Sequence, residues 1–146
     1  MAPRYSGTIY DKETNLTWMR CSIGQTWDGK TCTGRSTRLE WYEAQQLKFE
    51  FAGSNTWRLP TADELGSLVF CSQGYDPQGN GCQVRNDQRP TIDIRAFPNT
   101  LDSFYWSSSP VANSGYSAWD VSFYSGLVID QLKGLDGHVR MVRAGQ

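Results

Sequence analysis

Histidine occurs once, at His138, so no histidine pair stands at metal-ligand spacing and no histidine base sits beside a recognisable nucleophile. His138 lies next to a glycine turn and is expected to be a solvated turn residue. Glycine-rich phosphate-binding loops are missing as well, and the adjacent acids Asp63-Glu64 are explained by helix capping. No catalytic residue is therefore expected, and the chain reads as a non-enzyme. No apolar run is long enough to cross a bilayer, which excludes membrane insertion by a spanning helix. Charge of either sign is not in excess: ten Arg and four Lys are scattered among fifteen acids, for a net −1. Without a basic stripe, nucleic acid is not an expected partner.

What is present is one domain's worth of chain, 1–146, with many aromatic residues: six Trp, seven Tyr and six Phe. So many rings in this length place some of them on the surface. No signal peptide opens the chain, and Met1-Ala2-Pro3 is compatible with an introduced start.

The cysteines fall as Cys21 with Cys32 and Cys71 with Cys82, each pair enclosing ten residues. A glycine turn precedes each second cysteine, Asp28-Gly29-Lys30 and Asn80-Gly81, so two local disulfides close easily. Zinc is the rival reading, but it prefers two to four residues between paired ligands. Disulfides imply an oxidising, extracytoplasmic compartment.

Leu59-Pro60-Thr61 joins a turn to a helix start. Pro60 forces Leu59 out of the helical region, and Thr61 with Glu64 forms a capping box. Leu65, Leu68 and Val69 share a helical face, and the pattern predicts that they enter one core with Trp57 and Leu59 in a helix from about Thr61 to Phe70. An earlier helix is predicted from a Thr37/Glu40 capping box, with Trp41, Ala44, Leu47 and Phe51 at helical spacing and Gly53 as its stop. Before it, Tyr5 to Met19 reads as a hairpin turning at Asp11–Asn15. After the second helix comes a polar excursion, Ser72 to Arg89, pinned by the second disulfide, with Ile92, Ile94 and Phe97 as anchors beyond it. Asp76, Asn80 and Asp87 are the conceivable calcium ligands, but these are ordinary turn formers with no bidentate Glu at a recognised loop position. No cofactor is expected.

Ser103 to Trp119 carries no charge in seventeen positions, yet six Ser and five aromatic residues. Ala118 to Tyr124 then alternates with period two, placing Trp119, Val121 and Phe123 inward and Asp120, Ser122 and Tyr124 outward. Ser125-Gly126 turns the chain into a partner strand, Leu127 to about Leu132, and Val139, Met141 and Arg143 form a closing strand.

Trp57-Arg58-Leu59-Pro60-Thr61, Tyr105-Trp106-Ser107-Ser108-Ser109-Pro110, Ala118-Trp119 with Val121 and Phe123, and Val139-Arg140-Met141-Val142-Arg143 follow in an order that resembles the bacterial domain family at the C-terminus of the collagen-like adhesin Lcl. The resemblance covers nearly the whole chain. It implies an α+β, C-type-lectin-like fold, with two helices packed on small antiparallel sheets and a long loop-rich C-terminal half, distantly similar to formylglycine-generating enzymes and to variable proteins diversified by retroelements. Formylglycine-generating relatives need a cysteine pair late in the domain, and none follows Cys82 here. Members of the family commonly carry a cysteine late in the first helix and another in the last strand, where this chain has Leu47 or Lys48 and Met141.

Such a scaffold needs no chemistry to recognise a partner. Tyr, Ser, Trp, Asn and Gly combine rigid aromatic contact with adaptable hydrogen bonding. The expected function is adhesion to a glycan or protein receptor by a secreted or cell-surface protein, through Tyr116, Asp120, Ser122, Tyr124, Leu127, Ile129, Gln131, Leu135, Asp136 and His138. In the retroelement-diversified relatives this same C-terminal segment carries the variable positions. The alternatives are an assembly domain forming homo-oligomers through exposed Leu127, Ile129, Leu132 and Leu135, and an enzyme of unrecognised type.

Overall fold

The computed structural model describes residues 1–3, 7–83 and 87–146. Strand pairing starts where the polar turn sits: β2 (Thr8–Asp11) and β3 (Leu16–Met19) form an antiparallel hairpin in which Asp11 pairs with Leu16. Asn15 takes a positive φ of 57° at this turn, a conformation Asn tolerates, and its Oδ1 accepts from the Tyr10 hydroxyl at 2.8 Å. The expected hairpin start at Tyr5 lies outside the described residues. β1 (Ala2–Pro3) pairs on one side of β2, and β9 (Val142–Ala144) pairs on the far side of β3, so one four-stranded sheet joins both ends of the chain.

A second sheet runs β6 (Phe104–Pro110), β7 (Ser117–Ser122), β8 (Val128–Leu132), all antiparallel. Two short strands, β4 (Thr26–Trp27) and β5 (Cys32–Thr33), pair where the first disulfide loop closes. Both expected disulfides form, Cys21–Cys32 and Cys71–Cys82, with Cα separations of 5.4 and 5.1 Å. The fold is a small mixed α+β domain.

The helices are shorter than the pattern predicts. α1 spans only Trp41–Gln45 and is capped one turn later than expected, with Glu43 accepting from the Glu40 backbone N–H at 3.2 Å. Thr37 instead donates its backbone N–H to the Ile23 carbonyl, and Phe51 turns back on Ser54. The helical spacing of Leu47 and Phe51 therefore reflects burial against a common core and not helix. α2 spans Ala62–Gly66, and here the capping box is as expected: Thr61 accepts from the Glu64 N–H, and Glu64 accepts from the Thr61 N–H at 2.8 Å.

Two apolar clusters form where one was predicted. Leu65 and Leu68 join Trp18, Ile92, Phe97, Tyr105, Val121 and Phe123, whereas Trp57 and Leu59 join Trp41, Trp106, Val139 and Met141. The Leu59-Pro60 corner thus separates the cores it was expected to unite. It is stitched to both: Arg58 and Val142 exchange two backbone hydrogen bonds, each 2.9 Å, and Pro60 accepts from the Ser108 N–H at 2.7 Å. Tyr105 and Trp106, adjacent on β6, point into different clusters because successive strand residues face opposite ways. Both faces of the β6–β7 pair are consequently covered.

Ile94, an expected anchor, is exposed, while Ile92 and Phe97 are buried as expected. In the closing segment, Val139, Arg140, Met141 and Val142 are all buried, and hydrogen bonds from Met19 N–H to Met141 and from Ile23 N–H to Val139 tie it down. Leu47 and Met141, where family members commonly carry cysteines, pack into the same cluster and line one cleft.

Candidate binding surface

The β7–β8 hairpin is built on strand alternation and a glycine turn. Asp120 pairs with Ile129 and Val121 with Val128, and the turn closes with Gly126 N–H on the Ser122 carbonyl at 2.7 Å. Ser122 is half-buried, and its Oγ accepts from the Tyr124 and Ser125 N–H groups at 3.3 Å each, so it shapes the turn.

A loop far away in sequence braces this turn. Cys82 donates its N–H to the Ser125 carbonyl at 2.8 Å, Thr91 donates to Phe123 at 2.7 Å, and Arg89 donates to the Tyr124 carbonyl at 2.9 Å while its guanidinium lies 4.3 Å from the Tyr124 ring centroid. The second disulfide loop and Arg89 therefore hold the hairpin tip in one geometry. Pairing of Arg89 with Tyr124 gave no sequence signal, since cation–π partners have no fixed spacing.

Among the ten candidate residues, Tyr116 is 81% exposed, Tyr124, Leu135 and Asp136 are exposed, and Ile129 is at the margin of exposure. Leu127 and Gln131 are half-buried, Leu127 lying over Gly81. Val128 and Leu132 are exposed too, so β8 shows both faces to solvent as the edge strand of its sheet. Along β8 only Gln131 is half-buried, and the other four residues are exposed. Exposed Val128, Ile129, Leu132, Leu135, Tyr116 and Tyr124 are thus brought onto one hairpin and its margins.

Asp120 is a correction. It was expected outward, but it is fully buried, because the face opposite Val121 is covered by the Trp41–Trp106 cluster that also takes Ala118. Neither carboxylate oxygen has a hydrogen-bond partner among the described residues. Burial raises its pKa to about 7; the nearby Gln131 amide, outside hydrogen-bond geometry, draws it down, and the Asp130 charge pushes it up. Trp119, expected inward, is only half-buried, so cover on the Val121 face stops short of it.

His138 is the second correction. It is buried, bridged to β6 through Tyr105, and its ring stacks at a 34° tilt 5.3 Å from the Tyr105 ring. Its Nδ1 lies 2.7 Å from the Ser36 hydroxyl, a pairing across 102 residues that no local pattern announces. Burial, and then the Arg38 charge, lower its pKa, so the imidazole is neutral at physiological pH. Among the described residues no carboxylate hydrogen-bonds to this ring, and neither Ser36 nor His138 lines a described cleft.

The conceivable calcium ligands are engaged separately. Asp76 accepts from Asn80 and the Gln78 N–H, and Asp87 accepts from Ser72 and the Gln73 N–H. Among the described residues no helix is long and apolar enough to cross a membrane.

Residues 7–143 match the family model of the Lcl C-terminal domain. No curated protein matches the chain.

Proposed function

Because the chain belongs to the Lcl C-terminal domain family, we propose that it is a non-catalytic ligand-binding domain of a bacterial secreted or cell-surface protein, recognising a glycan or protein receptor. The observation that carries this reading is a rigidly braced hairpin with exposed large apolar residues: Leu132 at 57%, Tyr124 at 53% and Tyr116 at 81% exposure. Large apolar side chains left exposed together on one element suit an interaction site, and rigid aromatic side chains bind with little conformational entropy to lose. Two disulfides suit an oxidising extracytoplasmic compartment. The contact set is Tyr116, Tyr124, Val128, Ile129, Leu132, Leu135 and Asp136, with Asp120 and His138 removed as supporting core and the half-buried Ser122, Leu127 and Gln131 left at its margin.

The C-type-lectin-like architecture and diversification by a retroelement belong to the same proposal. Diversification predicts a near-copy of the DNA encoding Tyr105 to Arg143 beside a reverse transcriptase gene, differing mainly at adenines. Recognition is tested with glycan and protein arrays probed by the native domain and by Tyr116→Ala/Leu132→Ser. Loss of a specific signal at unchanged melting temperature supports the hairpin as the contact face, and an unaltered signal overturns it.

One observation favours a second reading. β8 is an edge strand with open backbone groups and apolar side chains on both faces, which suits pairing with another copy of the chain. Light scattering on the purified domain separates assembly from a monomeric receptor-binding module.

A further inference from the structure

The largest described cleft, about 500 Å³, lies among N-terminal elements and touches none of the hairpin residues. Its size falls within the range of small-molecule sites. Met19, Ile23, Trp27, Phe49, Glu50 and Phe51 line it. Its walls are held from outside: the Cys21–Cys32 bridge and the β4–β5 pairing position Trp27, and the Phe51–Ser54 bridge together with a 2.9 Å hydrogen bond from Trp57 Nε1 to the Phe51 carbonyl positions Phe51.

Glu50 is the single charged residue of the lining, and it enters no ion pair among the described residues. Lys48, two positions earlier, lines the separate cleft beside Trp57. Gln25 cannot serve as a free amide, because its Oε1 accepts from Ser22 N–H and its Nε2 donates to the Asn99 carbonyl. An anion would meet Glu50 unfavourably, and a neutral sugar would find few free side-chain donors. Aromatic walls with one carboxylate match a cation that carries apolar surface.

We propose that this cleft is a second binding site, for an organic ammonium group. The carboxylate of Glu50 supplies the counter-charge, and the faces of Phe49 and Phe51 take the carbon-bound hydrogens around the nitrogen. Arg20 already lies 4.3 Å from the Trp27 ring centroid, held by the Ala96 and Arg95 carbonyls and outside the cleft lining, so Trp27 is the wall least available to a second cation. Phe49 and Phe51 have no such occupant. The ammonium belongs either to a small free amine or to a lysine side chain of a partner protein.

The test titrates choline, its neutral isostere 3,3-dimethyl-1-butanol, and Nα-acetyl-lysine methylamide into the domain, following the Trp27 indole N–H resonance. Choline or the lysine amide is expected to shift that resonance, with the isostere at least about tenfold weaker, and added salt is expected to weaken binding. Glu50→Gln should abolish the preference for charge. Preference for choline identifies a small amine, and preference for the lysine amide identifies a protein side chain. Equal binding of choline and the isostere, no shift with any probe, or full charge preference in Glu50→Gln overturns the proposal. Tyr116→Ala/Leu132→Ser should bind these probes as the native domain does, so failure here and failure of the hairpin reading are separable.

Discussion

A side chain on Gly126 would collide with the second disulfide: a Cβ there would lie 2.6 Å from the Cys82 Sγ, and the residue has a φ of +79°. The turn of the candidate binding hairpin and the Cys71–Cys82 loop are therefore fitted to one another at contact distance. Gly81 repeats the fit from the other side, where a Cβ would sit 2.2 Å from the Ser125 carbonyl oxygen.

Gly126→Ala is accordingly expected to destabilise the domain by about 1–3 kcal/mol, through positive φ and overpacking together. Urea denaturation gives the cost, and ligand binding should weaken in parallel because the hairpin tip shifts. An alanine variant as stable as the native domain would show that the loop and the turn are not in contact.

Removing the second bridge with Cys71→Ser/Cys82→Ser should cost roughly 2–3 kcal/mol, the chain-entropy value for a loop of this size. Hydrogen exchange at Ser125 to Leu127 is expected to accelerate more than exchange in the β2–β3 hairpin. Uniform acceleration would mean that the bridge acts only on the unfolded chain.

Asp120 makes stability depend on pH with an unusual sign. Its folded pKa of about 7 lies above the ordinary 3.8 that applies in the unfolded chain, so between these values the folded state keeps a proton the unfolded state has lost. Stability from this group is intact below pH 3.8, falls as pH rises, and reaches its full penalty above about 7. Asp120→Asn should therefore stabilise the domain by roughly 1–3 kcal/mol at pH 8 and much less at pH 4. Denaturation midpoints at the two pH values measure this. A variant less stable than the native domain at pH 8 would mean that the buried carboxylate has partners in solution.

Arg140 is fully buried, and its guanidinium donates to the carbonyls of Met19 and Arg20 at 3.1 and 2.6 Å and to the Thr100 hydroxyl at 2.7 Å, with the Phe97 ring centroid 4.7 Å away. Burial lowers its pKa. Arg140→Ala would strand these acceptors and leave a void between the two ends of the chain, with a cost of about 3–5 kcal/mol. Loss of cooperative unfolding, or no soluble domain, is the expected readout. A cost below about 1 kcal/mol would show that water replaces the guanidinium freely.

The Thr61 cap offers a smaller, local test. Thr61→Ala should cost about 1 kcal/mol. Arg58, bonded to Glu64 at 2.8 Å, holds that carboxylate below its usual pKa. The stability contributed by Glu64 is therefore present above its unfolded pKa and is lost as pH falls through the lower folded one. An acid titration of native and Glu64→Gln domains reports the difference.

What the sequence determined by itself was local and periodic. The two disulfides follow from short spacing across glycine turns, the Thr61/Glu64 box from adjacent side chains competing for the same backbone N–H groups, and the β2–β3 and β7–β8 hairpins from period-two patterns between turns. Family membership was also legible, carried by the Trp57 to Thr61 corner and the aromatic strand at Tyr105. What only the tertiary structure decided was which face of each element is covered. Period two sorts side chains into two sets but does not say that both sets are buried, so Asp120 went inward, Trp119 stayed at the margin and β8 kept both faces open. His138 with Ser36, Arg89 with Tyr124 and Arg140 with Thr100 meet across long stretches of chain, where the energy comes from mutual burial and hydrogen bonding that no window of sequence contains.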